Sequence, residues 1–119
     1  MGLDQYAEAF VPVDNIEELV YDCEYRVENG KSIQSWRKHP NLQGWMKSLF
    51  ILKGGEGSFN CVPVKLTSSD LDMLEDVVNK GEHFYGTVDD DYKEEDLEFI
   101  KNAREVIANG KVVYYWSWF

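Results

Sequence analysis

Hydrophobic and polar positions change period several times along the chain, and each change marks an element. In residues 20–28, Val20, Asp22, Glu24, Arg26 and Glu28 fall on one side, and Tyr21, Cys23, Tyr25 and Val27 on the other. A period of two with aromatic and β-branched residues predicts a half-buried strand. Asn29 and Gly30 tolerate positive φ and supply a tight turn, which makes residues 31–36 the returning strand of a hairpin. Leu42, Trp45, Met46, Leu49, Phe50 and Leu52 then place a broad apolar face on a helix over residues 41–53. Asn41 is its expected N-cap, and Gly54-Gly55 its stop.

Residues 58–66 read as a further strand, and Pro63 confines it to an edge or a bulge because proline has no ladder donor. Thr67-Ser68-Ser69-Asp70 opens a second helix with Leu71, Leu74, Val77 and Val78 inward and its carboxylates, Asp70 among them, in water. A third helix over residues 93–108 turns Leu97, Ile100, Ala103 and Ile107 inward, widened by Phe99 and Val106, and Asn109-Gly110 stops it. Residues 111–119 close the chain as an aromatic strand. The predicted order is β-α-β-α-α-β. It describes an α+β domain over residues 19–119, with a small, mainly antiparallel sheet of three to four strands and three helices packed on one face. Residues 1–18, with Pro12 and only short apolar patches, read as an N-terminal arm.

Composition sharpens this picture. A chain of 119 residues, 44% hydrophobic and 29% charged, is the size of one domain and too apolar for a disordered tail. Its net charge of −10 argues against direct binding to nucleic acid or to an anionic lipid surface. No apolar run is long enough to span a bilayer, and MGLDQYAEAF has neither a basic start nor an apolar signal core, so the expected location is cytoplasmic. Tyr6 occupies the position where a myristoylation signal carries Ser or Thr. Cys23 and Cys61 form neither a CxxC nor a zinc-ligand spacing and are expected to be reduced.

The charges are segregated along the chain. Residues 31–53 hold Lys31, Arg37, Lys38, Lys47 and Lys53 and no acid, so this stretch is +5 and the remainder −15. Its densest part sets Trp36, Arg37, Lys38, His39 and Asn41 just ahead of a helix N-terminus. Such a place can grip a partner protein, or hold a small anion or nucleotide between Arg37, Lys38 and His39. Alternatively, Trp36 is a core anchor and the two cations pair with acids of the same molecule.

Other chemistry finds less support. His39 and His83 are the only histidines, and a small hydrolase would need one of them to meet a carboxylate or Cys61 in a cleft. The chain has no GxSxG, HExxH, Walker or Rossmann motif, and the glycines at 54, 55 and 57 follow a helix where a phosphate loop precedes one. The acids Asp89, Asp90, Asp91, Glu94, Glu95, Asp96 and Glu98 fail the EF-hand spacing, because counting from Asp89 puts Glu94 at the glycine position and Ile100 at the glutamate position. They read as a solvated first helical turn, or as a phosphate-like row offered to a DNA-binding protein. No metal and no cofactor is expected. Tyr114, Tyr115, Trp116, Trp118 and Phe119 make both faces of the last strand bulky, which suits a strand covered on both sides or one pairing with its twin in a homodimer.

Residues 35–45 (SWRKHPNLQGW), 59–72 (FNCVPVKLTSSDLD) and 96–119 (DLEFIKNAREVIANGKVVYYWSWF) together resemble a family of small proteins encoded by tailed bacteriophages. The resemblance covers about half the chain. It implies a phage accessory protein in the cytoplasm of an infected cell, which binds and redirects a host or defence protein without catalysis. Some members carry a kinase label, which the missing phosphate loop does not support here.

Overall fold

Small residues alternating with large ones make the N-terminal segment a strand. In Asp4–Phe10 (β1) the buried Gln5, Ala7 and Ala9 alternate with Tyr6, Glu8 and Phe10. The computed structural model describes residues 2–80 and 93–119. The order continues with α1 (Ile16–Leu19), α2 (Cys23–Asn29), β2 (Lys31–Arg37), α3 (Pro40–Leu52), β3 (Val64–Leu66), α4 (Ser68–Lys80), α5 (Lys93–Ala108) and β4 (Val112–Trp118). The four strands form one sheet in the order β2-β1-β4-β3, and every pairing is antiparallel. The fold is therefore α+β, as the sequence predicts, with a different order of elements.

The expected N-terminal arm contains an interior strand. β1 pairs with β4 from Asp4↔Trp118 to Phe10↔Val112 and with β2 on its other side, where Ile33 is the extra residue of a bulge. The predicted hairpin at Asn29-Gly30 is replaced accordingly: β2 returns against β1, and residues 23–29 are helical. Asp22 caps that helix, its side chain accepting from Glu24 N at 3.0 Å. Tyr21 and Val27, placed inward by the strand reading, lie in solvent, while Arg26 is buried. Gly30 serves close approach, since a Cβ there would come within 2.7 Å of the Arg26 carbonyl oxygen.

Both faces of the sheet are covered, not one. On one face Ala7, Val113 and Tyr115 meet Leu42, Met46, Leu71, Leu74, Phe99 and Ile100 from α3, α4 and α5. On the other, Phe10 and Tyr114 meet Ile16 and Val20 of the α1–α2 cover. Tyr6 stacks on Trp116 at 4.6 Å, and Phe10 meets Tyr114 edge-on at 5.8 Å. β4 thus satisfies the covered-strand reading. It is also bonded on both sides, to β1 along its length and to β3 at Val113, Tyr114 and Tyr115, so the free edge that a β4-to-β4 homodimer requires is taken there. Among the described residues the sheet's edges are β2 and β3.

The strand expected over 58–66 shrinks to three residues, because Cys61 takes a left-handed φ of 62° that breaks the run. Pro63 lies just before the shortened edge strand. α3 starts one residue earlier than predicted, with Pro40 in its first turn and His39, not Asn41, as the cap. It ends in a Schellman turn, Gly55 N donating to Phe50 O and Gly54 N to Ile51 O, with Gly54 at φ 95°. α4 opens on a reciprocal cap: Thr67 N donates to Asp70 Oδ2 at 2.9 Å, and Asp70 N to Thr67 Oγ1 at 3.2 Å.

Asp70, expected in water, is buried and paired with Lys53. Burial pushes its carboxyl up, but the Lys53 ammonium and the Thr67 hydrogen bonds outweigh that and hold it below the ordinary carboxylate range. A carboxyl depressed by folding stabilises the protein above its unfolded pKa of about 4 and loses that contribution as pH falls through the lower folded value. Asp70→Asn should therefore be less stable than wild type at neutral pH, and the gap should narrow in denaturant melts taken progressively below about pH 4. A gap independent of pH would assign the Asp70 effect to packing.

Candidate functional site

The corner between β2 and α3 carries all five candidate binding residues, and folding sends them in opposite directions. Trp36 points into the core, edge-on to Phe99 at 5.0 Å, and its Nε1 donates to Asp96 Oδ1 at 3.0 Å. His39 is also interior: its Nε2 lies 2.8 Å from Asp96 Oδ2, and both side chains are only 2% exposed. Its Nδ1 accepts from Leu42 N at 3.5 Å. An acceptor at Nδ1 leaves the proton on Nε2, facing the carboxylate. Asn41 is buried as well. Arg37 and Lys38 are exposed, and Lys38 takes the positive φ of 59° that turns the chain from strand to helix.

Gln5 of β1 secures the corner from below. Its Oε1 accepts from His39 N at 2.8 Å, and its Nε2 donates to His39 O at 3.0 Å and to the Tyr115 hydroxyl at 2.9 Å. The Tyr115 hydroxyl donates in turn to Gln43 Oε1 at 2.6 Å. Burial holds the Tyr115 phenol well above its ordinary range, so it remains a neutral donor. Five segments are joined by this network: β1, the corner, α3, α5 and β4. Lys38 N adds a bond to Leu3 O at 2.8 Å.

This geometry changes the chemistry open to the corner. Both ring nitrogens of His39 are engaged inside the protein, so the imidazole does not join Arg37 and Lys38 in an anion clamp. Of the N–H groups in the first turn of α3, Pro40 has none, that of Leu42 is taken by His39 Nδ1 and that of Gln43 by His39 O. The +5 stretch does not gather into one patch. Lys31 stands at the far end of β2, about 20 Å from Arg37 at strand rise. Lys53 stands about 20 Å from Lys38 at the far end of α3, tied to Asp70. Arg37 has an acidic neighbour of its own, Asp4 at 3.7 Å.

Among the described residues, no group of three or more His, Cys, Asp or Glu side chains could hold a metal ion. Of the predicted acidic row, Glu94, Glu95 and Glu98 are exposed and Asp96 is buried; Asp89, Asp90 and Asp91 lie outside the described residues, as does His83. Cys23 and Cys61 are free. Burial pushes the Cys61 thiol up against the opposing charge of Arg26, which keeps it protonated rather than nucleophilic.

Sequence reasoning missed Gln5, Asp96, Tyr115 and Gln43. Asp96 had a detectable signal, because it precedes Phe99, Ile100 and Ala103 by three, four and seven residues and so lies on their stripe. Gln43 had no comparable signal. Compared with protein-family models, with curated proteins and with solved structures, the chain matches none.

Proposed function

We propose that the protein acts by binding a partner protein rather than by catalysis, with Arg37 and Lys38 as the contact. One observation carries this reading: an interior network of Asp96, His39, Gln5 and Tyr115 fixes the corner that presents the two cations to solvent. A support held on that many sides presents a side chain with little ordering left to do on binding, and so favours affinity. The face it suits on the partner is acidic. The phage resemblance of the sequence would make that partner a host or defence protein, met in the cytoplasm of an infected cell. A hydrolase built on His39 is less well supported, because substrate would have to reach a histidine that is buried with both ring nitrogens engaged.

Immobilised wild type and an Arg37→Ala/Lys38→Ala variant, each exposed to extract of phage-infected bacteria, test the reading. The variant should lose a protein that wild type retains in a salt-sensitive manner. Its stability should stay within about 0.5 kcal/mol, as for exposed side chains in general. Equal retention by both proteins, or a large fall in melting temperature, would remove the corner as a docking point.

A further inference from the structure

The two edges of the sheet differ in what they can accept. β3 is three residues long and directly follows Pro63, which limits pairing there. β2 runs for seven residues, Lys31–Arg37, with no proline or glycine, and among the described residues only β1 is bonded to it. Such an edge offers a row of backbone donors and acceptors to an added strand.

Two features beside this edge indicate what that strand carries. The first is charge. Lys31 pairs with Ala9, on the helix-covered face of the sheet, and Arg37 pairs with Asp4, on the other face, so β2 has a cation at each end and no acid between them. Ala9 and Asp4 are five residues apart on β1, and a regular strand on the outer side of β2 needs the same spacing to meet both cations. A second copy of β2 does not fit. Laid antiparallel about Gln34, it would set each Lys31 opposite the Arg37 of the other copy, like charge against like.

The second feature is a cavity of about 320 Å³ where the Lys31 end of β2 meets α5, lined by Ala9, Lys31 and Ile33 from the sheet and by Asn102, Glu105 and Val106 from the helix. Ile33 and Val106, both packed against the core, make its apolar wall, and Ala9 contributes only a methyl group to its filling. Every second side chain of a strand added to β2 points to this face. In strand addition, main-chain bonds supply affinity and pockets for alternate side chains supply specificity.

We propose that the partner supplies an extended acidic segment that adds to β2 as a further antiparallel strand, with one carboxylate at Arg37, a second five residues on at Lys31, and an apolar side chain between them in the cavity. This rests on the reading of Arg37 and Lys38 as the partner contact and deepens it, since the partner offers a strand rather than a folded acidic face.

The end-capped peptide Glu-Val-Thr-Val-Thr-Glu is the probe, followed by calorimetry and by amide hydrogen exchange of the intact protein. Antiparallel to β2, it sets its first Glu at Arg37, its last at Lys31 and both Val side chains on the α5 face. It should bind saturably and protect alternate amides of β2. Replacing both Glu by Lys should weaken it more than about tenfold. Two N-methylated forms, one at the Val and one at the Thr nitrogens, separate strand pairing from charge attraction. Only one of these sets of nitrogens faces β2, so one form should bind within about threefold of the parent and the other about tenfold more weakly. Lys31→Ala, at an exposed position far from the corner, should weaken the parent peptide about threefold. Arg37→Ala/Lys38→Ala should weaken it further.

The inference is overturned by no saturation by about 1 mM, by unchanged affinity in Lys31→Ala, or by equal binding of the two N-methylated forms. Equal binding of those forms together with loss in Arg37→Ala/Lys38→Ala would leave the corner as a contact and remove the added strand. Unchanged affinity in that double variant would remove the corner reading and this inference together.

Discussion

Asp96→Ala lowers stability by about 2–6 kcal/mol, the cost of leaving two buried donors without their acceptor. The carboxylate serves two donors at once, Trp36 Nε1 at 3.0 Å and His39 Nε2 at 2.8 Å, in a place water does not reach. Alanine leaves both unpaired, and each orphaned buried group costs about 1–3 kcal/mol. Against a typical total of about 5–15 kcal/mol, this is a large share of what holds a domain together. Asp96→Asn should cost less, because its carbonyl oxygen still accepts from one donor while its amide opposes the other. A cycle with His39→Leu should show coupling above about 1 kcal/mol, which independent sites do not give. Denaturant melts of the four proteins decide it. A loss under about 1 kcal/mol for Asp96→Ala would mean that the corner stands without its carboxylate. The same variant should also weaken partner capture, although it touches neither Arg37 nor Lys38.

What was legible in the sequence, and what was not, follows from the range over which each signal acts. Helices α3, α4 and α5 were legible because their apolar stripes and stops are local: Leu71, Leu74 and Val78 for α4, and Phe99, Ile100 and Ala103 for α5, all buried. The partner of a strand is set from far along the chain. β1 reads as a featureless arm because its interior residues are Gln5, Ala7 and Ala9, small or polar groups that no hydrophobic count selects, and its two neighbours come from residues 31–37 and 112–118. Residues 20–28 misled for a related reason. They alternate as a strand does, but the position that folds inward carries a guanidinium, which becomes acceptable inside only once distant carbonyls and an indole surround it. The five candidate site residues lie together at one corner, yet only tertiary structure divides them into three that build it and two that it displays.

Arg26→Ala should be the second severe substitution, costing about 3 kcal/mol or more. Arg26 is 1% exposed. Its Nη1 donates to Val20 O and its Nη2 to Cys61 O at 3.0 Å, while the guanidinium carbon lies 4.6 Å from the centre of the Trp116 ring. One side chain thereby joins the α1–α2 cover, the turn before β3 and the face of β4. Alanine removes that joint, leaves two carbonyls without donors and opens a void between cover and sheet. Arg26→Met separates the contributions, because it keeps most of the volume and discards the charge together with its donors. If anchoring the two carbonyls outweighs the cost of burying a cation, Met should be intermediate, about 1–3 kcal/mol below wild type. A Met variant at least as stable as wild type would reverse that balance, as happens where hydrophobic replacement relieves a buried charge. Lysine should not substitute, since a single ammonium lacks the planar fork that reaches both carbonyls.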